Sequence, residues 1–392
     1  MPAVGTWLRR VRRRDGVRLR PEDFGAVAYV AAIDRFVALD HAAAAFVAGL
    51  GPRGTAVDHA REPMAARLAA AGLIEPVADR PLAGRSLIGD FTEMPPLGDP
   101  LVVNVFATAW CPLRCRYCHA DDLMQPFRAD PGDIERVAAT AAAVPAMVAV
   151  VTGGDPILDP ARTQRLIARL AETKAIVVDT SGAGDITPLI PLLKQVQGHL
   201  RVSLDSAGAA LHDRLRPINP RLLPRGTSSH EQAWATIQHA VTADIGTTVQ
   251  TVVSRANQRE DELIALARKL VGAGVRNWVL HLAVAAGKAA QGPGRQLLPT
   301  DDARAVVDRL VARLETEDEF RPLRVRVTAT NARPNAVLLV GSQGELYVER
   351  GPTGKVQLAS AAHDTDEVRR LFRTNVDLQA HADRYLGGTA PI

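Results

Sequence analysis

Between residues 101 and 282, short apolar runs rich in β-branched residues alternate with longer amphipathic stretches. No other feature constrains the fold so strongly. The runs at 101–108, 147–152, 175–180, 200–205, 247–253 and 276–282 have the length and composition of strands. The intervening stretches at 131–144, 162–173, 186–198, 230–243 and 260–273 have the length of helices. Strand–helix–strand units of this length close as right-handed crossovers, so the spacing predicts an α/β fold with a parallel sheet covered on both faces. Such sheets bind ligands beyond the carboxyl ends of their strands, and that is where the chemistry-bearing residues should lie.

They do cluster there. The chain has three cysteines, and all of them follow the first run, in Trp110-Cys111-Pro112-Leu113-Arg114-Cys115-Arg116-Tyr117-Cys118-His119. A disulfide framework would use an even number of cysteines spread along a secreted chain. A structural zinc site would need a fourth ligand, which His119 or a distant histidine could supply, but C-x3-C-x2-C is not the paired spacing of zinc ribbons. It suits three thiolates converging from one loop onto three corners of a cubane iron–sulfur cluster, with the fourth iron left for another ligand. The second run leads into Gly153-Gly154-Asp155-Pro156, the third into Ser181-Gly182. The fourth holds Ser203-Leu204-Asp205, with His212-Asp213-Arg214-Leu215-Arg216 beyond it. Val252-Val253-Ser254-Arg255-Ala256-Asn257 closes the fifth, and Ala286-Gly287-Lys288-Ala289 follows the sixth.

Over residues 98–292 these motifs, in this order, resemble the peptide-modifying branch of the radical S-adenosylmethionine (SAM) superfamily. The resemblance implies an open partial (β/α)6 barrel with one [4Fe–4S] cluster held by Cys111, Cys115 and Cys118, and with SAM on the fourth iron. Tyr117 fills the place of the aromatic residue before the last cysteine. Gly153, Gly154, Asp155 and Pro156 match the Gly-Gly-Glu-Pro motif of the methionyl site, where a missing Cβ allows close backbone approach. Asp155 replaces the glutamate and shortens its reach by one methylene. By the same resemblance Ser203 and Asp205 would bond the methionyl group or the ribose. Arg216 would pair with the SAM carboxylate, a surface salt bridge being the alternative, and Gln250 would contact the adenine through its backbone. The activity implied is one-electron cleavage of SAM to a 5′-deoxyadenosyl radical, which abstracts a hydrogen atom from the substrate.

Residues 1–76 read as a separate winged-helix-like module, with strands over 17–29 and 34–40 and short helices over 42–49, 55–59 and 64–71. The module resembles the PqqD-like recognition elements that bind leader peptides by strand addition; a DNA-binding winged helix would need more arginine on its helices. The run Arg9, Arg10, Arg12, Arg13, Arg14 reads as a solvated tail, or as a docking surface for an acidic peptide. Residues 77–97, rich in proline and glycine, read as a linker. Residues 293–392 read as a small α+β extension, with a helix at 301–315, strands at 323–328, 336–340, 345–349 and 355–358, and a last helix at 365–385. The extension is SPASM-like but holds no cysteine, so auxiliary clusters are not expected.

The leading functional expectation is therefore a radical SAM enzyme that modifies a ribosomally made precursor peptide, fed by an external one-electron reductant such as flavodoxin or ferredoxin. A radical SAM enzyme acting on a small-molecule or cofactor precursor is one alternative, a non-catalytic iron–sulfur peptide-binding protein the other. A net charge of +4 on 392 residues gives no footprint for nucleic acid. The absence of a long apolar run and of an apolar stretch near the start leads to the expectation of a cytoplasmic protein without membrane contact. His119, His212, His230, His239, His281, His363 and His381, with Tyr347 and Tyr385, are read as structural or exposed.

Overall fold

The computed structural model describes residues 9–77, 97–125, 133–282, 288, 298–328, 335–350 and 354–386. The chain divides into two units, Met1–Gly98 and Asp99–Ile392.

In the first unit, β2 (Val17–Glu22), β3 (Gly25–Val30) and β4 (Arg35–Asp40) form an antiparallel meander with β3 in the centre. Asp40 then accepts a hydrogen bond from the Ala43 amide at 2.8 Å and starts α1 (His41–Ala48), as an N-terminal cap should. The second sheet sets β1 (Arg9–Arg13) between β5 (Thr55–Val57) and β6 (Ile74–Pro76), with α2 (Glu62–Ala70) preceding β6. Val11, Val30, Leu39, Val47, Leu68 and Leu73 share one core.

Two expectations are corrected here. The arginine run is the central strand β1, not a solvated tail: Val11 points into the core, and Glu75, directly across from Arg12, binds its Nε at 2.7 Å. Opposite charges on facing strands let a row of arginines join a sheet. Residues 55–57 are a strand, not the start of a helix, because Thr55 and Val57 pair with β1. The 77–97 linker lies outside the described residues except at Val77 and Leu97.

The second unit is built on one ten-stranded sheet. β7 (Val102–Thr108), β8 (Val148–Gly153), β9 (Ala175–Thr180), β10 (His199–Ser203), β11 (Gly246–Val253) and β12 (Asn277–Leu282) lie side by side in chain order, all parallel. Helices α3 (Ile134–Ala143), α4 (Pro160–Leu170), α5 (Ile190–Gln195), α6 (Ala209–Leu215), α7 (Ser229–Thr242) and α8 (Glu260–Gly272) lie between them in the chain. The C-terminal segment supplies α9 (Thr300–Thr316), β13 (Arg324–Thr328), β14 (Leu338–Val340), β15 (Leu346–Glu349), β16 (Lys355–Ala359), α10 (Thr365–Asn375) and α11 (Leu378–Tyr385).

Its strands extend the same sheet at both edges. β13 adds in parallel to β12; β14 adds in parallel to β7 and carries the antiparallel β15 and β16. The helix expected over 365–385 breaks at Val376, which is extended, and Asp377 caps the next helix through the Ala380 amide. Apart from Lys288, the 286–289 motif lies outside the described residues, as do residues 292–294.

Cover on both faces was expected, but the period-2 alternation of strand side chains produces two unlike faces. Val105, Val151, Val178, Val202, Val249 and Leu280 pack with Val137, Leu166, Ile237, Leu263 and Leu310 of the helices in a single core. The alternate residues Asn104, Thr152, Asp179, Arg201, Gln250 and His281 belong to the other face. A row of such groups could not be covered by apolar helices without stranding its hydrogen bonds. The sheet is thus an open, mostly parallel partial barrel, with helices outside and a polar face within.

Candidate active site

The motif-bearing segments follow β7, β8, β9, β10 and β11 at their carboxyl ends, so the parallel topology alone brings them to one rim. The two glycines set how closely the first two meet. Gly153 has φ +126°, a conformation rarely open to other residues, and the Gly154 amide donates to the Thr108 carbonyl at 2.7 Å. A Cβ on Gly153 would collide with that carbonyl, and one on Gly154 would collide with the Trp110 carbonyl and lie 2.7 Å from the Trp110 nitrogen. The expected reason for the glycines was approach to a ligand. The neighbour the structure brings closest is the backbone leading into Cys111.

Asp155 is buried, and its carboxylate is fully engaged. One oxygen accepts from Thr180 Oγ1 at 2.6 Å and from the Ile157 amide at 3.2 Å; the other accepts from the Ser181 amide at 2.9 Å and from the Ser181 hydroxyl. Burial raises its pKa while these bonds oppose the rise. The side chain therefore ties the end of β8 to the end of β9. The shorter acid suits this task, and Pro156 behind it opens a helical turn whose carbonyl receives Thr163 Oγ1 at 2.6 Å.

The cysteine loop is held from the other side by the segment after α6. Leu113 bridges Ile218 in antiparallel fashion, the Arg114 amide donates to the Pro217 carbonyl at 2.7 Å, and the Arg116 amide donates to the Leu215 carbonyl at 3.1 Å. Arg216 Nε reaches Asp205 Oδ2 at 2.6 Å, Nη1 stands 3.9 Å from Cys115 Sγ, and the guanidinium lies over the Tyr117 ring. The Tyr117 hydroxyl also donates to Asp205, as does the Val252 amide at 2.8 Å. The ion pair is therefore buried, which corrects the surface alternative for Arg216. Burial alone would raise the Asp205 pKa, but Arg216 and these donors hold it below the usual carboxylate range. Arg216 is correspondingly pushed up against its own burial, and burial drives the Tyr117 phenol well up.

Two residues of this cluster have their signal only in the fold. The His212 Nδ1 accepts from the Asp205 amide at 3.1 Å, and burial lowers its pKa to about 4, so the ring is neutral at physiological pH. Asn257 Nδ2 donates to the Asp205 and Val252 carbonyls, each at 2.9 Å, closing the loop after β11 onto the loop after β10.

Ser203 ends β10 beside Gln250. The Gln250 carbonyl already receives the Leu204 amide at 2.8 Å, and its side chain spans the polar face from Asp179 at 3.3 Å to His281 Nε2 at 2.8 Å. His281 continues to Thr328 Oγ1 at 2.7 Å. Burial, with Arg384, Arg326 and Arg201 around it, lowers the His281 pKa to about 3. Gln250 thus reaches the interior through its side chain, and His281 is part of the barrel lining.

The chemistry of the three thiols fits iron–sulfur ligation. Each is raised by its shielding from water, Cys115 up to about 11, and each is raised further by at least one neighbouring thiol or carboxylate. Among the described residues no three ligating side chains converge as one ion would require. The thiolates of a cubane each bind a different iron, so they need not meet at one point. Arg216 beside Cys115 and Lys288, whose amide donates to the Cys118 carbonyl at 2.9 Å, supply positive charge near the sulfurs.

Residues 105–270 match the Radical SAM superfamily, and the open sheet with its outer helices is the radical SAM α/β fold. No curated protein matches the chain. Among solved structures, Streptococcus suis SuiB bound to S-adenosylmethionine is 12% identical, with a TM-score of 0.55 over 86% of this chain and 82% of that one. The same protein bound to precursor peptide SuiA is 12% identical, with a TM-score of 0.56 over 96% and 90% of the two chains. Native anSMEcpe with bound AdoMet is 13% identical, with a TM-score of 0.56 over 74% and 89%.

Proposed function

Starting from a radical SAM domain, a family that uses a [4Fe–4S] cluster and SAM, we propose that this protein is an enzyme that modifies a ribosomally made precursor peptide. Cys111, Cys115 and Cys118 would hold the cluster, and the rim formed by Gly153, Gly154, Ser203, Asp205 and Arg216 would receive SAM. When bound, the two together supply a 5′-deoxyadenosyl radical able to take a hydrogen atom from an unactivated carbon. The chain's own residues act by position. Gly153 and Gly154 let the rim close onto the cysteine loop, and Asp155 locks the ends of β8 and β9. Asp205 and Arg216 neutralise each other beside Cys115 and Tyr117. The polar face from Asp179 to Thr328 would line the substrate chamber, where fixed dipoles can orient a target bond and exclude stray donors.

The observation that carries the reading is the convergence of the cysteine loop and the Asp205–Arg216 pair on one rim of an open barrel. The peptide follows from likeness of fold over nearly the whole chain to a protein crystallised with its precursor peptide. A leader peptide would add as a strand in the first unit, where β2 and β4 each pair with β3 alone among the described strands. Cysteine thiols number three in the entire chain, so one cluster per chain is proposed. The electron would come from an external carrier. Co-expression with a short peptide encoded beside the gene, followed by mass spectrometry of that peptide, tests the reading. A mass change that depends on all three cysteines supports it; an unmodified peptide together with turnover of a small molecule would replace it with the cofactor-precursor alternative.

A further inference from the structure

Each sulfur of the cysteine loop receives an N–H, and the three donors are not alike. The Leu113 amide donates to Cys111 and the Ala120 amide to Cys118, so both of these come from the loop itself. The donor to Cys115 is Arg216 Nη1 at 3.9 Å, a full charge brought in from 101 residues along the chain. Among the described residues, Cys115 is the one sulfur with a charged hydrogen-bond donor.

The guanidinium has little freedom. Its Nε and Nη2 fork onto Asp205, at 2.6 Å to Oδ2 and 3.4 Å to Oδ1, which leaves Nη1 for the sulfur. A planar guanidinium fixes the direction of its third nitrogen once the other two are bound. Its central carbon stands 5.4 Å from the centre of the Tyr117 ring. The backbone is anchored as well: the Arg216 amide donates to the His212 carbonyl at 2.8 Å, and the Arg216 carbonyl accepts from Ser229 Oγ at 2.8 Å. Asp205 is held in turn by the Val252 amide and the Tyr117 hydroxyl. Arg216 is 8% exposed and Asp205 0%, so salt and water screen neither charge well.

Two buried charges of opposite sign therefore act on one sulfur, the positive one in contact with it and the negative one on the other edge of the guanidinium. The free thiol already registers the opposition. Burial drives Cys115 up, Arg216 pulls it down and Asp205 pushes it up. An iron–sulfur cluster gains one negative charge when it is reduced. A hydrogen bond to a ligating sulfur and a positive charge beside it both favour that state, whereas a carboxylate opposes it.

We propose that Arg216 and Asp205 are a counterpoised pair that sets the reduction potential of the cluster through Cys115, Arg216 raising it and Asp205 limiting the rise. The inference rests on the cluster assignment made above. Arg216 acts through the cysteine and is a positioning residue, and its effect does not require SAM. In the step concerned one electron enters the oxidised cluster from the reductant; no bond forms or breaks at the pair, and both members stay charged.

The experiment is an anaerobic redox titration of the reconstituted full chain with dithionite and mediators, without SAM, followed by EPR of the reduced cluster. Arg216→Gln removes the positive charge and should lower the potential. Asp205→Asn removes the negative charge at nearly constant shape and should raise it. Each should move the reduction equilibrium about tenfold, which is about 59 mV for one electron. Both substitutions weaken the fold, but a merely structural loss has no reason to move the potential in opposite directions. Arg114→Gln makes the same charge change on an exposed side chain next to Cys115 in the chain, and should leave the potential where it is. A second measurement needs no substitution. In parent protein carrying arginine isotopically labelled at the guanidinium nitrogens alone, pulsed EPR of the reduced cluster should show hyperfine coupling to a labelled nitrogen. Shifts of one sign in the two variants, an equal shift in Arg114→Gln, or absence of the nitrogen coupling overturns the counterpoised pair. Weaker SAM binding by Arg216→Gln at an unchanged potential overturns it too, and leaves Arg216 as a SAM ligand only. A parent protein without a cluster signal after reduction overturns the cluster assignment itself.

Discussion

Gly154→Ala adds one methyl group where the end of β8 meets the backbone leading to Cys111. The new Cβ would fall on the Trp110 carbonyl and lie 2.7 Å from the Trp110 nitrogen, so every close neighbour is backbone and none can rotate aside. Relief requires the cysteine loop and the end of β8 to part by about an ångström or more, and a shift of that size costs about 100-fold in a rate that depends on near-attack geometry. The Gly154 amide bond to Thr108 at 2.7 Å would be stretched by the same movement. The stability cost should be about 1–3 kcal/mol, the usual range for overpacking, so the variant should remain folded. Gly272→Ala is the control, because a Cβ there meets nothing within 4 Å. The assay is release of 5′-deoxyadenosine from SAM with a chemical reductant, after measurement of iron and sulfide content. Gly154→Ala should lose about two orders of magnitude, or fail to retain the cluster, while Gly272→Ala behaves as the parent. A Gly154→Ala protein with full iron and the parental cleavage rate would refute the claim that this glycine sets the position of the loop.

Asp155→Asn keeps the shape but turns an amide group toward donors that now meet a carboxylate, and should cost about 1–3 kcal/mol; a melting temperature equal to the parent's would show that the tie to Thr180 and Ser181 is dispensable. Asp205→Asn strands the buried Arg216 charge and should destabilise by about 3–5 kcal/mol in urea unfolding, where a loss no larger than that of an exposed pair contradicts the burial argument. The Asp205 pKa is depressed in the folded state, so its contribution is in place above about pH 4 and is lost as pH falls further. His212 acts at higher pH: its folded pKa of about 4 lies below the unfolded value of about 6.5, so the unfolded state binds more protons between them. Stability should fall by about 3 kcal/mol as pH drops through that window, and His212→Gln should flatten the slope in pH-dependent chemical denaturation. Reconstituted protein should bind iron for one cubane, and replacement of any one of Cys111, Cys115 or Cys118 by alanine should abolish the visible cluster absorbance; clearly more iron would demand ligands the sequence does not contain.

The order of strands and helices from 101 to 282 was legible because period-2 and helical patterns are local, and the parallel topology then put every motif loop at one rim without knowledge of any contact. The three cysteines were equally legible, since a loop of eight residues carries its own spacing. What Asp155 holds was not, because Thr180 and Ser181 come to it from the neighbouring strand. Arg216 could have met SAM, solvent or a carboxylate as far as its position in the chain tells; the return of the segment after α6 along the cysteine loop gives it Asp205 and buries both. His281 reads as an isolated histidine until the register of β11, β12 and β13 sets it between Gln250 and Thr328. The arginine run at 9–14 looked solvated because Glu75, which pairs with Arg12 and Arg14, lies more than sixty residues away. Local sequence thus determined which residues bear the chemistry and which end of the sheet they occupy. Partners far apart in the chain, brought together only by packing and strand register, decided what each side chain faces.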